Sequence, residues 1–360
     1  MFILLPIIFI VFYAIINILV INKLFNIFKN SLKINKSLFF IIVAVLNNSY
    51  LLFLIFEKFI PMSLRHPIAV VSSYILSYFI YLILFFGLAY ILSRFIHKID
   101  FFKPAIILSL IVVLIGTFLA NSAYVKKYNI TTNKQIEKEY KIALVSDIHL
   151  GYILGSNNLS KMVDEINELD ADIVVIAGDL IDSNLQTVLD NNMLSSLKNI
   201  HSNYGTYVTL GNHDGYAGHI DSLAKELNKY NVKLLRNEHL LIDNSIYIIG
   251  RDDSSINSDN KFLSNELKSL DNNKITITVD HDPKRISESV DNNIDVQLSG
   301  HTHNGQLLPF NIVTNMLFEV SNGYKKINNT NIIVSSGYGT WGPPIRTSSR
   351  SQIVLITLHN

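Results

Sequence analysis

A chain of 360 residues is long enough for two domains, and its formal net charge of +1 conceals a division between them. Residues 1–124 carry nine Lys/Arg against two acids and residues 125–360 carry 21 against 27, so charges of +7 and −6 nearly cancel and give no reason to expect a nucleic-acid polymer as partner. The absence of cysteine excludes disulfides, thiolate metal ligands and thiol nucleophiles.

In chain order, the first features are four uncharged apolar stretches, residues 1–22, 37–56, 67–93 and 104–125. Each is about 20 residues or longer, enough for a helix to cross a hydrocarbon core of about 30 Å. They predict an all-α transmembrane domain of four helices over residues 1–125, and hence a multi-pass protein of the cell membrane. No basic segment precedes the first stretch, which argues against a cleaved signal peptide. Asn47, Asn48 and Ser49 fall mid-span, where they are expected to hydrogen-bond to neighbouring helices. The stretches hold no Asp, Glu, Lys or Arg, so an ion pathway is a poor reading of them. Lys23, Lys29, Lys33 and Lys36 follow the first stretch and Arg94, Lys98 and Lys103 the third, against Lys58 and Arg65 after the second. The positive-inside rule then leaves the carboxyl-terminal half on the extracytoplasmic side. Lys126 and Lys127 pull the other way, and an odd number of spans would reverse the assignment.

Residues 126–139 are polar and read as a linker to a soluble α/β domain over 140–360. Five runs rich in aliphatic and β-branched residues, Ile142–Ser146, Ile173–Ala177, Thr206–Leu210, Ile275–Val279 and Val296–Ser299, read as buried strands. Helical spacing marks Leu159–Leu169 and Ile220–Tyr230. Ser245–Gly250, Asn331–Ser335 and Ile353–Leu358 read as further strands, a mixture that implies packed sheets flanked by helices.

Each of the five runs ends on metal-binding residue types: Asp147-Ile148-His149, Gly178-Asp179, Gly211-Asn212-His213-Asp214, His281 and Gly300-His301-Thr302-His303. If these segments are extended, residues i and i+2 point the same way, so Asp147 with His149 and His301 with His303 can each face one site. Asp179 follows a glycine that lets the backbone crowd the site, and its two oxygens can bridge two cations. Imidazole and carboxylate without sulfur suit Mn, Fe, Zn or Co better than Ca. Five such endings in order imply a polynuclear metal site.

The ordered set resembles the calcineurin-like metallophosphoesterases closely over residues 140–310. The segment Gly337-Tyr338-Gly339-Thr340-Trp341-Gly342-Pro343-Pro344-Ile345-Arg346 is similar to a membrane-linked bacterial subfamily, some members of which act on lipid phosphodiesters or pyrophosphates. The resemblance implies a four-layer α-β-β-α sandwich after the four-helix membrane domain. It implies two divalent metal ions (Mn, Fe or Zn), with Asp147, His149 and His303 on the first, Asn212, His281 and His301 on the second, and Asp179 bridging. Two such ions about 3.5–4 Å apart can share a nucleophilic hydroxide. His213 would protonate the leaving oxygen and Asp214 would orient it. Arg346 is a candidate phosphate clamp, and His219 a candidate substrate contact. Many family members place an arginine four residues after the bridging aspartate; Ser183 stands there instead, which argues against phosphoprotein substrates.

The expected function is therefore a membrane-anchored two-metal phosphohydrolase cleaving a phosphodiester or pyrophosphate of a lipid or cell-envelope precursor. Its expected partners are that phosphorylated substrate and the bilayer, with no obligate protein partner. An anchored phosphodiesterase of soluble nucleotides is the alternative. A transporter or sensor with a regulatory metal-binding domain is a third, and a complete ligand set with His213 exceeds what it needs.

Overall fold

A computed structural model describes residues 4–134, 136–259 and 261–360. The chain forms two compact units, one of the residues up to Thr117 together with Gly342–Pro344 and one comprising Phe118–Trp341 and Ile345–Asn360.

Up to Thr117 the first unit is built of helices: α1 (Leu4–Leu32), α2 (Lys36–Asn47), α3 (Ser49–Phe56), α4 (Met62–Phe95) and most of α5 (Phe102–Asn121). Its core joins Val20 and Leu24 of α1 to Phe39 and Val43 of α2, Phe79, Leu82 and Phe86 of α4, and Ala105 of α5. Small buried residues on α4 and α5, among them Ala69, Ser73, Ser77, Ala105 and Ser109, allow the close approach on which membrane helix packing depends.

Among the described residues, three segments are each long and apolar enough to cross a membrane: Val11–Leu32, Met62–Phe95 and Phe102–Asn121. The stretch expected as one further straight span, residues 37–56, is instead broken. Its two halves meet at 61° and count as a crossing only if taken together. The break falls at Asn48, which leaves helical geometry at φ −98°, ψ 8° and turns its side chain back onto the Ala44 carbonyl at 2.8 Å. The expected interhelical bonds form on α1: Asn47 donates to the Asn17 side-chain oxygen, and the Tyr13 hydroxyl lies 3.3 Å from the Asn48 side-chain oxygen. The Ser49 hydroxyl finds no partner.

The second unit runs through β1 (Tyr124–Thr131), β2 (Tyr140–Val145), α6 (Ser156–Asn167), β3 (Ile173–Ala177), α7 (Leu185–Asp190), β4 (Thr206–Thr209), α8 (Asn212–Ala217) and α9 (Ile220–Asn228). It continues with β5 (Val232–Leu234), β6 (Glu238–Ile242), β7 (Ile246–Gly250), α10 (Phe262–Glu266), β8 (Ile275–Val279), α11 (Ile286–Asp291) and β9 (Val296–Ser299). Helix α12 (Phe310–Leu317) and strands β10 (Gly323–Ile327), β11 (Thr330–Val334) and β12 (Gln352–His359) complete it. The strands form two mixed six-stranded sheets, ordered β1-β12-β2-β3-β4-β5 and β10-β11-β9-β8-β7-β6.

Strand alternation builds the layers. In β2, Ile142 and Leu144 point to the core between the sheets, where they meet Ile246, Ile277 and Leu298. Ala143 and Val145 point outward, onto Leu159, Met162 and Ile166 of α6. On the far face of the second sheet, Ile249 packs on Phe262 and Leu263 of α10, and Ile332 and Val334 on Ile286 of α11. The order is helix, sheet, sheet, helix.

The segment expected as a linker, residues 126–139, is in part a strand. β1 lies parallel to β12 from Tyr124 opposite Gln352 to Thr131 opposite His359. It escapes the hydrophobic pattern because it is an edge strand with one fully buried side chain, Ile130, and outward lysines. Ile130→Asp should therefore cost the full-length protein about 2–4 kcal/mol, lowering its melting temperature in detergent by at least about 5 °C; a linker would tolerate the change.

Candidate metal centre

β2, β3 and β4 run parallel, as do β8 and β9, so their carboxyl ends fall on common edges of the two sheets. The five motifs lie there. The loops after β2 and β3 are tied together by backbone bonds from Asp147 to Gly178 and from Ile148 and His149 to Asp179, at 2.9–3.0 Å.

Asp147 and His149 do reach a common site, though not because the chain is extended, whereas His301 and His303 part to different donor groups. Asp147 and His149 have φ of 56° and 53°, His301 and His303 of 71° and 50°, and Asp179 of 52°. Left-handed geometry is uncommon for residues other than glycine and costs about 1–3 kcal/mol each. It persists here because the surrounding bonds leave the backbone no alternative. Two glycines make room for the turns. A side chain on Gly178 would sit 2.5 Å from the His281 ring, and one on Gly300 would sit 2.5 Å from Asp147 Oδ2.

Two donor groups result. In one, His303 Nε2 lies 3.1 Å from His149 Nε2 and 3.3 Å from Asp147 Oδ1. In the other, His281 Nε2 lies 3.1 Å from Asp179 Oδ2, and His301 Nδ1 lies 3.0 Å from Asn212 Oδ1. Asp179 Oδ2 is also 3.8 Å from His149 Nε2, which puts this carboxylate between the groups. Donors bound to one ion at 2.0–2.2 Å stand about 3.0–3.4 Å apart, so the residues present fit two ions. His281 adds a second indication. Its Nδ1 bonds the Ala177 carbonyl at 2.8 Å, while its buried Nε2 has no hydrogen-bond partner. A nitrogen oriented by one such bond leaves the other free as a ligand.

The charges are arranged to match. Burial raises both Asp147 and Asp179, yet the imidazoles around them hold both below the usual carboxylate range: His303, His281 and His149 for the first, His281 and His149 for the second. Burial depresses His281 and His149, but neighbouring aspartates hold both above the usual imidazole range. Burial lowers His301, helped by His281, and takes His303 down to about 4, helped by Arg346.

Two expected roles need correction. Asp214 does not orient His213. It is buried and accepts from the backbone amides of Gly211 and Ile181 at 2.9 and 2.8 Å, joining the loops of Asn212 and Asp179. Burial and the charge of Asp179 push it up to about 7. The orienting partner is Asp182, whose carbonyl lies 2.6 Å and whose carboxylate lies 3.6 Å from His213 Nδ1. That carboxylate also lies 3.3 Å from His149 Nδ1. Asp182 stands three residues after Asp179, and its spacing alone gave no sign of this role. Arg346 is not a phosphate clamp in this structure. It is fully buried and donates to the carbonyls of Gly339 and Ser336 and to the Ser349 hydroxyl, with Nη2 3.1 Å from His303 Nδ1. His219, the candidate substrate contact, is exposed and caps α9 with φ 55°.

Comparison with known proteins follows the same segment. Residues 140–305 match the sequence model described as calcineurin-like phosphoesterase. An uncharacterized metallophosphoesterase of Aquifex aeolicus is 34% identical over 263 residues, 69% of this chain and 97% of that protein. One of Helicobacter pylori is 36% identical over 229 residues, 62% of this chain and 61% of the relative. A bovine transmembrane protein with metallophosphoesterase domain is 32% identical over 61% of this chain and 52% of its own length. The chain thus spans less than two thirds of the length of these last two relatives.

Two outcomes are expected. Arg346→Ala strips a buried hydrogen-bond network and should cost about 3–5 kcal/mol, with lower metal content and an unchanged KM for the metal-loaded fraction; a phosphate clamp would instead raise KM at constant melting temperature. His149 and His281, held protonated in the metal-free site, must lose protons to bind metal. Affinity should therefore rise with pH, and calorimetry in buffers of different ionisation enthalpy should register proton release; none would contradict the assignment of these two ligands.

Proposed function

The chain belongs to the calcineurin-like phosphoesterase family, whose centre is binuclear, and on that premise we propose that it is a membrane-anchored, metal-dependent phosphohydrolase. Its substrate on this reading is a phosphodiester or pyrophosphate of a lipid or cell-envelope precursor. The observation that carries the proposal is the pair of donor groups that meet at Asp179, with His213 beside them.

Asp147, His149 and His303 would hold one divalent ion, and Asn212, His281 and His301 the other, with Asp179 shared. When bound, the ions supply the acidity that activates water and the positive charge that stabilises phosphoryl oxygens. The chain supplies the rest. The His213 backbone amide donates to Asp179 Oδ1 at 2.8 Å, which fixes the histidine relative to the shared carboxylate. Its ring lies edge-on to His149 with centroids 4.7 Å apart. With Nδ1 bonded to a carbonyl, Nε2 is left to deliver a proton to the leaving oxygen, and the Asp182 carboxylate, 3.6 Å from Nδ1, helps hold the ring in that orientation. Asp214, buried and bonded to two loops, keeps the donor groups in register.

Tethering supports the lipid reading. Three residues after the end of α5, at Tyr124, the chain is already in the first sheet, so the distance to the last membrane helix is short. Lys23 of α1 lies 3.6 Å over the ring of Phe102, the first residue of α5. That contact favours counting α2 with α3 as one crossing, and on that count the positive-inside rule supports the extracytoplasmic reading for the catalytic unit.

Purified full-length protein with added Mn²⁺ should hydrolyse bis-p-nitrophenyl phosphate. Asp179→Ala should abolish this, and His213→Gln should lower kcat by about 10²–10⁴ at unchanged metal content. Equal rates for wild type and Asp179→Ala would refute the metal-dependent chemistry. Mass spectrometry of membrane lipids incubated with the enzyme tests the substrate class: loss of a phosphorylated lipid that Asp179→Ala leaves intact is the expected result, and an unchanged lipid profile contradicts it.

A further inference from the structure

The exposed apolar side chains of the second unit are concentrated on and beside one helix. Leu308, Phe310, Ile312, Val313, Met316 and Leu317, on and just before α12, are 45–81% exposed, and the helix buries none of its residues. No Asp, Glu, Lys or Arg occurs between Asp295 and Glu319, in a half of the chain that is otherwise acidic. A contiguous face of this kind on a water-soluble unit marks an interaction site.

Both ends of the helix lead to the metal centre. It begins seven residues after His303, and Phe318, which caps it, has its ring centroid 6.0 Å from that of His301. At its entrance Gln306 is clipped to Trp341, donating to its carbonyl at 3.0 Å and accepting from its amide at 3.1 Å. Trp341 is half-exposed, and an exposed indole is the side chain most at home at a membrane–water boundary.

The occupant that fits is a bilayer, because this chain is held against one. The last turn of α5 belongs to the second unit: Ser351 bonds the Leu119 and Ala120 carbonyls, and Arg350 donates to that of Ser122. A second copy of the chain would meet an apolar face with no charged residue on the helix to fix a register. A bilayer needs none.

On the footing of the membrane-linked phosphohydrolase reading above, we propose that α12 with Trp341 lies in the bilayer interface and brings the metal centre to the phosphate of an amphiphile still anchored in the membrane.

Trp341 is the only tryptophan of the chain, so its emission reports on the face directly. In full-length protein reconstituted in phosphatidylcholine vesicles, nitroxide-labelled lipid should quench Trp341. The double variant Ile312→Asp, Met316→Asp, at two exposed positions, should lose that quenching. It should also hydrolyse vesicle-borne phosphodiester lipid about tenfold more slowly, with bis-p-nitrophenyl phosphate turnover and metal content unchanged. Quenching by aqueous iodide alone, or lipid quenching that the variant leaves intact, would overturn the proposal. So would a dimer in detergent that the variant dissociates without any lipid quenching, which would assign the face to self-association. Variant-sensitive quenching without turnover of any vesicle lipid would uphold the docking of α12 and overturn the lipid substrate, so the two failures are distinguishable.

Discussion

Two aspartates placed out of contact with water beside one another set the terms for the rest of the catalytic unit. Asp147 and Asp179 are almost wholly buried, and each raises the cost of charging the other. Such a pair is stable only where positive charge is guaranteed. His149 and His281 supply part of it through the protein, and two divalent ions would supply the remainder. The donors must then converge from five strand ends to within a few tenths of an ångström. The glycines, the left-handed turns, Asp214 and Arg346 all serve that convergence. Arg346 gains nothing from substrate in this position; it fastens the loop from Ser336 to Ser349 against His303.

The same edge of the fold is where the chain meets its surroundings. β1 follows the last membrane helix after three residues and pairs directly with β12, so the strand that leaves the membrane is itself part of the first sheet. Opposed requirements thus meet in one unit: a dry, charged interior at the strand ends, and apolar surface left exposed beside it on α12. A folded unit normally buries such a helix face. An unburied one, in a chain with helices of membrane-crossing length, is the feature on which the proposed docking of α12 rests.

Much of this was legible in order along the chain. Strand runs such as Ile173–Ala177 and Ile275–Val279 coincide with β3 and β8, because fully buried strands admit only aliphatic and β-branched side chains. The ligand types were legible for a related reason: chemistry restricts them to a few residues, and a strand end is where such residues stand out. The edges of the fold were not. β1 was hidden because an edge strand needs only Ile130 inward, and the bend at Asn48 because hydropathy measures composition and is blind to direction. Side-chain partners were hidden as well. Asp214 is adjacent to His213 in sequence yet bonds two backbone amides elsewhere, whereas Asp182, 31 residues away, reaches the imidazole.

The sequence by itself determined which residues can bind metal, that they fall at the ends of buried strands, and that uncharged apolar stretches precede them. These are properties of residue type and period, which survive without any knowledge of contacts. Only the tertiary structure decided that the ligands converge through left-handed turns, with His301 and His303 in different donor groups, that Arg346 is buried beside His303, and that α12 remains uncovered. Those outcomes depend on which side chains meet across loops far apart in the chain, and burial and pairing at such meetings are set by the fold as a whole.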